Sequence, residues 1–70
     1  MGELSERDKA ILNLERRYWR TVARKEAAVR TALNLSPNAY YQTLNALIST
    51  EAATAYAPMV VARLRIFRER

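Results

Sequence analysis

Asn38, Tyr41, Gln42 and Asn45 recur at spacings of three and four residues inside the uncharged stretch 37–49. On a helix they share one side. Gln and Asn are the side chains that bond bidentately to the edge of adenine, so Gln42 and Asn45 have the chemistry of base readers. Asn38, nearer the start, can reach a base or a phosphate. Tyr41 can donate to a phosphate or pack on a thymine methyl. Phosphate-binding groups stand around this set. Arg24, Lys25 and Arg30 precede it, Ser36 and the unpaired backbone N–H groups open its helix, and Arg63, Arg65 and Arg68 lie near the C-terminus.

Two features oppose a purely DNA-reading view. The candidate reading segment holds no Arg or Lys, although these make the commonest specific base contact. Arg30 also stands where a small Ala usually lets two such helices approach closely. A neutral face with Tyr41, Gln42 and Asn45 outward equally suits a protein partner, because Tyr is enriched and charge depleted at the centres of such surfaces.

Catalytic chemistry is harder to assemble. The chain has no His and no Cys, which removes the common nucleophile–base pairs and thiolate metal sites. Its one Gly is residue 2, so there is no glycine-rich phosphate loop. The acidic residues fall on expected outer faces, mostly beside Arg or Lys, as structural ion pairs rather than acid–base couples. No catalytic residue, cofactor or metal is expected.

With 70 residues the chain holds one domain with a thin core, and a dimer or partner would add burial. Half the residues are hydrophobic and 27% are charged, a globular balance. The net charge is +5, and every Lys and Arg except Arg7 lies within 9–30 or 63–70. Between Arg30 and Arg63 the one charged residue is Glu51. Two basic flanks around a neutral middle suit a polyanion gripped from both sides, although charge runs are usually solvated helix faces. The absence of cysteine, of a signal-like leader and of a long apolar run points to a cytoplasmic protein without a membrane span. Met1-Gly2 resembles an acylation start, but Glu6 stands where that signal needs Ser or Thr.

The elements that must position these residues are all helical. Ser5-Glu6-Arg7-Asp8 reads as an approximate capping box. Ile11, Leu14, Tyr18 and Val22, with Leu12 and Trp19, then predict an amphipathic helix of about four turns, its end near 21–23 unmarked by Gly or Pro. Trp19 reads as a core anchor, with Arg stems lying along its indole. A shorter helix follows from about Arg24 to Leu33, with Ala28, Val29, Ala32 and Leu33 inward. Asn34 stands where a left-handed residue closes a helix, and Ser36-Pro37 supplies a cap and a preorganised first position. Tyr40, Leu44, Leu47 and Ile48 face the core. Residues 50–53 read as a loop or single turn. Pro58 begins a last helix with Val60, Val61, Leu64 and Phe67 inward and Arg63, Arg65, Arg68 and Arg70 outward.

A short helix, a tight turn and a second helix with a free outer side form a helix-turn-helix pattern over about 24–48. Ser36-Pro37 followed by Tyr40-Tyr41-Gln42 and Leu44-Asn45, with Leu47 beyond, resembles a family of short actinobacterial proteins of unknown function. Leu14-Glu15-Arg16-Arg17-Tyr18-Trp19, Pro58-Met59 and the Arg-rich tail fit it as well, so the resemblance spans nearly the whole chain. It implies a helix-turn-helix-like fold and DNA binding, with no established activity to carry over. The chain departs from that pattern at Asn34, where Gly is usual, and at Ala57, where an acidic cap before Pro58 is usual. The second change should weaken the helix start by about 1 kcal/mol.

These readings converge on an all-α bundle of three to four helices in a single domain, residues 1–70. It contains a helix-turn-helix-like unit at about 24–48 and a basic helix at 58–70. The expected function is duplex-DNA binding by a small transcriptional regulator or nucleoid-associated factor, as a homodimer or with a larger partner. The alternative is an adaptor docking on a protein of the transcription machinery. Membrane-surface attachment through the basic helices is a third reading.

Overall fold

A computed structural model describes residues 3–69 of the chain, with side chains as far as Ile66. Met1, Gly2 and Arg70, and the side chains of Phe67, Arg68 and Glu69, lie outside the described residues. The chain is all-α: α1 (Glu6–Arg16), α2 (Val22–Ala28) continuing into a π-helical turn (Val29–Leu33), α3 (Pro37–Leu47), α4 (Glu51–Tyr56) and α5 (Pro58–Glu69).

Helix α1 begins as its capping residues dictate. Ser5 Oγ accepts from the Asp8 amide at 3.0 Å, and the Asp8 carboxylate accepts from the Ser5 amide at 3.4 Å. Its end departs from expectation: the helix stops at Arg16 rather than running on through Tyr18 to about Val22. Tyr18 and Val22, expected inward, are 89% and 65% exposed. The cause is competition for one carbonyl. In a continued helix the Leu14 oxygen would accept from the Tyr18 amide. Here it accepts from the Arg17 amide at 3.2 Å and from the Trp19 indole Nε1–H at 2.7 Å. Arg17 is thrown into extended geometry, with φ −76° and ψ 150°. Thr21 then caps a new helix, its Oγ1 accepting from the Arg24 amide at 3.1 Å.

The π-helical turn also shifts the inward positions. A turn that closes five residues back places one extra residue in each revolution. Val29 is buried and Leu33 half-buried, but Ala32, expected inward, is exposed. The turn that follows is as read. Asn34 has φ 56° and ψ 38°, and its amide donates to the Arg30 carbonyl at 3.0 Å. Asn is among the few residues that enter this left-handed region at small cost. Ser36 Oγ accepts from the Ala39 amide at 3.2 Å, and Pro37 opens α3.

Residues 50–53, expected as a loop or single turn, are the cap and first residues of a six-residue helix, α4. Thr50 Oγ1 accepts from the Ala53 amide at 3.1 Å, which is the capping bond a helix start requires. Ala53 and Ala57 are both buried, and small side chains there let α4 fold back against α5. Pro58 opens α5 without a side-chain cap from Ala57, whose amide still donates to the Ala53 carbonyl at 2.9 Å.

One core joins these pieces. Ile11, Leu12 and Leu14 of α1 meet Val29, then Tyr40, Leu44, Leu47 and Ile48 of the α3 region, and Val60 and Val61 of α5. Each fully buried aliphatic side chain contributes about 1.5–3 kcal/mol relative to exposure. Helix α1 packs on the π-helical turn, on α3 and on α5. It is thus the platform that orients the turn and the helix after it.

Candidate nucleic-acid interface

The π-helical turn packs against α3 across the Asn34–Ser36 reversal, which gives the two-helix unit expected near residues 24–48. Burial of Tyr40, Leu44 and Leu47 on one side of α3 leaves the opposite side outward. Asn38, Tyr41, Gln42 and Asn45 are all on it and all exposed. Tyr41 is held by two contacts of its ring. Its ring meets Tyr40 edge-on, with centroids 5.1 Å apart at 79°. The Lys25 ammonium lies 5.4 Å from the Tyr41 ring centroid, a distance at which cation and ring attract.

The expected phosphate donors separate into groups. Arg24 and Arg30 are exposed on the first helix of the unit. Arg30, Asn34, Leu35 and Ser36 line a shallow recess of about 280 Å³, which places a guanidinium beside the start of α3. Arg65 is exposed while its Nε donates to the Ile48 carbonyl at 3.1 Å. Arg63 is exposed too, but its Nη2 donates to the Glu15 carbonyl at 2.9 Å and lies 3.7 Å from Glu15 Oε1. Lys25 turns inward, its side chain only 16% exposed and its Nζ 2.5 Å from Glu15 Oε2. Arg68 lies beyond the described side chains.

Glu15 is the functional-site feature that the sequence reading missed. Instead of occupying an outer face, it is 4% exposed, the one charged residue in the core among the described residues. Its carboxylate receives Lys25 of α2, Arg63 of α5, and the Tyr40 hydroxyl of α3, which donates at 2.6 Å. Four helices therefore share one carboxylate. Burial, followed by the hydrogen bond to Glu15 and the charges of Glu15 and Tyr41, holds the Tyr40 phenol far above the ordinary tyrosine range. The signal for Glu15 was present in the spacing. It lies four residues after Ile11 and directly after Leu14, on the apolar stripe itself.

A groove of about 340 Å³ opens beside the outward face of α3, lined by Glu15, Lys25, Tyr41, Leu44, Asn45, Ile48 and Leu64. The Glu15–Lys25 pair is thus continuous with the edge of the polar face. Among the described residues no group of His, Cys, Asp or Glu is clustered to hold a metal ion. No described helix is long and apolar enough to cross a membrane.

A family described as "Protein of unknown function (DUF3263)" matches residues 3–70. No curated protein and no solved structure matches the chain.

Proposed function

The chain belongs to the DUF3263 family of proteins of unknown function, and we propose that it is a DNA-binding helix-turn-helix protein. In this reading it is a small transcriptional regulator or nucleoid-associated factor of the cytoplasm, without enzymatic activity. The observation that carries the reading is the left-handed Asn34 turn followed by a helix whose exposed side is Asn38, Tyr41, Gln42 and Asn45.

Helix α3, with eleven residues, is about 16 Å long and enters a major groove about 12 Å wide. Gln42 and Asn45 each offer an amide to the N6 and N7 positions of adenine. Asn38, through its side chain and its backbone N–H, meets a phosphate at the groove edge. Arg24 and Arg30 grip the backbone on one flank, and Arg65 and Arg68 supply a second basic flank. Arg63 contributes from its exposed part while remaining tied to Glu15. Lys25 supports Tyr41 from within and is left out of the phosphate-binding set. One reading helix of this size covers a single half-site, so a homodimer on two half-sites supplies the affinity.

Fluorescence-anisotropy titration with labelled duplex DNA at several salt concentrations tests this. Binding should weaken steeply with salt, at about 0.9 in log–log slope for each phosphate neutralised. No measurable binding at about 50 mM salt removes the proposal.

A second reading rests on the missing Arg and Lys within α3. The same face, centred on Tyr41, would then dock on a protein of the transcription machinery. Affinity purification from the native cell separates the two. A stoichiometric partner that survives nuclease treatment favours docking.

A further inference from the structure

On another part of the surface, the end of α1 and the start of α5 enclose a cleft of about 530 Å³. Arg16, Ala57, Pro58, Met59, Val60 and Arg63 line it. Its floor is aliphatic, with Ala57 and Val60 buried, and its rim is a methionine that is 81% exposed. An exposed thioether costs hydrophobic free energy and serves adaptable binding surfaces, because Met re-packs around partners of different shape. Among the described residues, both ionisable groups lining the cleft are arginines, and no carboxylate lines it.

The two guanidiniums are held in place before anything binds. Arg16 lies 5.7 Å from the Tyr56 ring centroid, on the first side of the cleft. Arg63 is anchored through Nη2 alone to the Glu15 carbonyl and carboxylate. A guanidinium carries five donors in a fixed fork, so the Nη1 and Nε N–H groups of Arg63 are left for a carboxylate oxygen. Preorganised cations around an apolar floor lower the ordering cost of binding an anion beside a hydrophobic anchor.

From this charge complementarity we propose that the α1–α5 cleft docks an acidic amphipathic segment of a partner protein. One apolar side chain of that segment seats over Val60 against Met59, and flanking Asp or Glu side chains pair with Arg16 and Arg63. A small metabolite fits less well, because such sites converge several placed polar groups on the ligand, whereas this cleft offers two arginines at its edge. The cleft shares Arg63 with the DNA-binding reading, but Arg16, Met59 and Val60 have no part in that reading, so the test is built on them.

The test uses the full chain and a fluorescein-labelled synthetic peptide of about 15 residues, long enough for a four-turn helix. Its acids are interleaved with Leu and Phe at i, i+3, i+4 and i+7, and a control peptide carries the matching amides. Saturable binding of the acidic peptide is expected, weakened roughly tenfold or more by the amide control, by Arg16→Glu and by Met59→Asp. Both substituted positions are exposed, and circular dichroism verifies the fold, with Met59→Gln replacing any variant that fails it. Met59→Gln, which adds no charge beside Arg63, should weaken the acidic peptide yet leave duplex-DNA binding within about twofold, so failure of one proposal is distinguishable from failure of the other. No saturable binding, equal binding of the amide peptide, or unchanged affinity in the variants overturns the docking proposal. So does sedimentation velocity showing a dimer that Met59→Asp dissociates, which would assign the cleft to a second copy of this chain.

Discussion

Lys25 and Glu15 pair across two helices, Nζ to Oε2 at 2.5 Å, with the carboxylate almost wholly out of solvent. Such a pair contributes less to net stability than its Coulomb attraction suggests, because both ions lose water. Its larger effect is on register. The same carboxylate also takes the Tyr40 hydroxyl and the Arg63 guanidinium, so α1, α2, α3 and α5 must all be seated for it to be satisfied. A slip of any one of them strands a buried charge.

Removing the carboxylate should therefore cost far more than removing the pair. Glu15→Ala leaves Lys25 and the Tyr40 hydroxyl without their partner, for a loss of about 3–5 kcal/mol. That is most of the stability of a domain this small. The double variant Glu15→Leu with Lys25→Met replaces the pair by apolar groups and should recover at least half of that loss. Urea denaturation followed by circular dichroism measures both, and a double variant as unstable as Glu15→Ala would contradict the register argument.

Tyr40 imposes a pH limit at the alkaline end. Its folded pKa is raised well above the unfolded value of 10.0, first by burial and then by Glu15. Above that pH the unfolded chain releases the proton while the folded chain retains it, so unfolding becomes more favourable as pH rises. The stabilisation is complete below pH 10 and declines steadily beyond it. Tyr40→Phe should remove this contribution to the alkaline decline while costing about 1.5–3 kcal/mol at neutral pH through the lost bond to a charged group. Urea midpoints measured from pH 8 to 11 on both proteins check the sign.

How much of this was legible in the chain depends on whether the cause is local. Ser5, Asn34 and Ser36-Pro37 act on amides within four residues, and each does in the structure what its type predicts. The spacing of Asn38, Tyr41, Gln42 and Asn45 likewise placed them outward without knowledge of the rest. The break after Arg16 was hidden because neither Gly nor Pro makes it. It arises when the Trp19 indole reaches back to the Leu14 carbonyl, a bond that no periodicity encodes. Glu15 was misplaced because burying a carboxylate requires Lys25 and Arg63, and the latter is 48 residues away. Its inward position on the stripe was visible, while the partners that make that position tolerable were set by the fold. For the same reason Lys25 reads as a surface cation, whereas Thr50, read as loop or single turn, has a purely local cap in the Ala53 amide.

The reversal at Asn34 should be sensitive to β-carbon shape and indifferent to its loss. Asn34→Gly keeps φ 56° accessible and should change stability by less than about 0.5 kcal/mol. Asn34→Val places a branched side chain in the left-handed region and should cost about 1–2 kcal/mol. For a domain of this size that is a fall of about 4–8 °C in melting temperature for each kcal/mol. Differential scanning calorimetry of the two variants distinguishes them, and equal melting temperatures would mean that residue 34 relaxes out of this geometry.

On duplex DNA the exposed arginines and the α3 amides should fail in different ways. Arg24 and Arg30 are solvent-exposed and can meet phosphates whatever the sequence, so Arg30→Gln should weaken binding to all duplexes alike and lower the salt slope by about 1. Gln42 and Asn45 carry no charge, so Gln42→Ala should leave the salt slope unchanged. Its effect should appear only on a selected target, as a loss of about 1–3 kcal/mol together with relaxed preference at one base position. Selection from a randomised duplex library followed by titration of wild type and both variants reads the two signatures separately. If Gln42→Ala instead lowers affinity equally for every duplex, α3 lies along the backbone rather than in the groove. If neither substitution changes binding that still depends on salt, the basic α5 segment alone holds the DNA and the two-helix unit faces elsewhere.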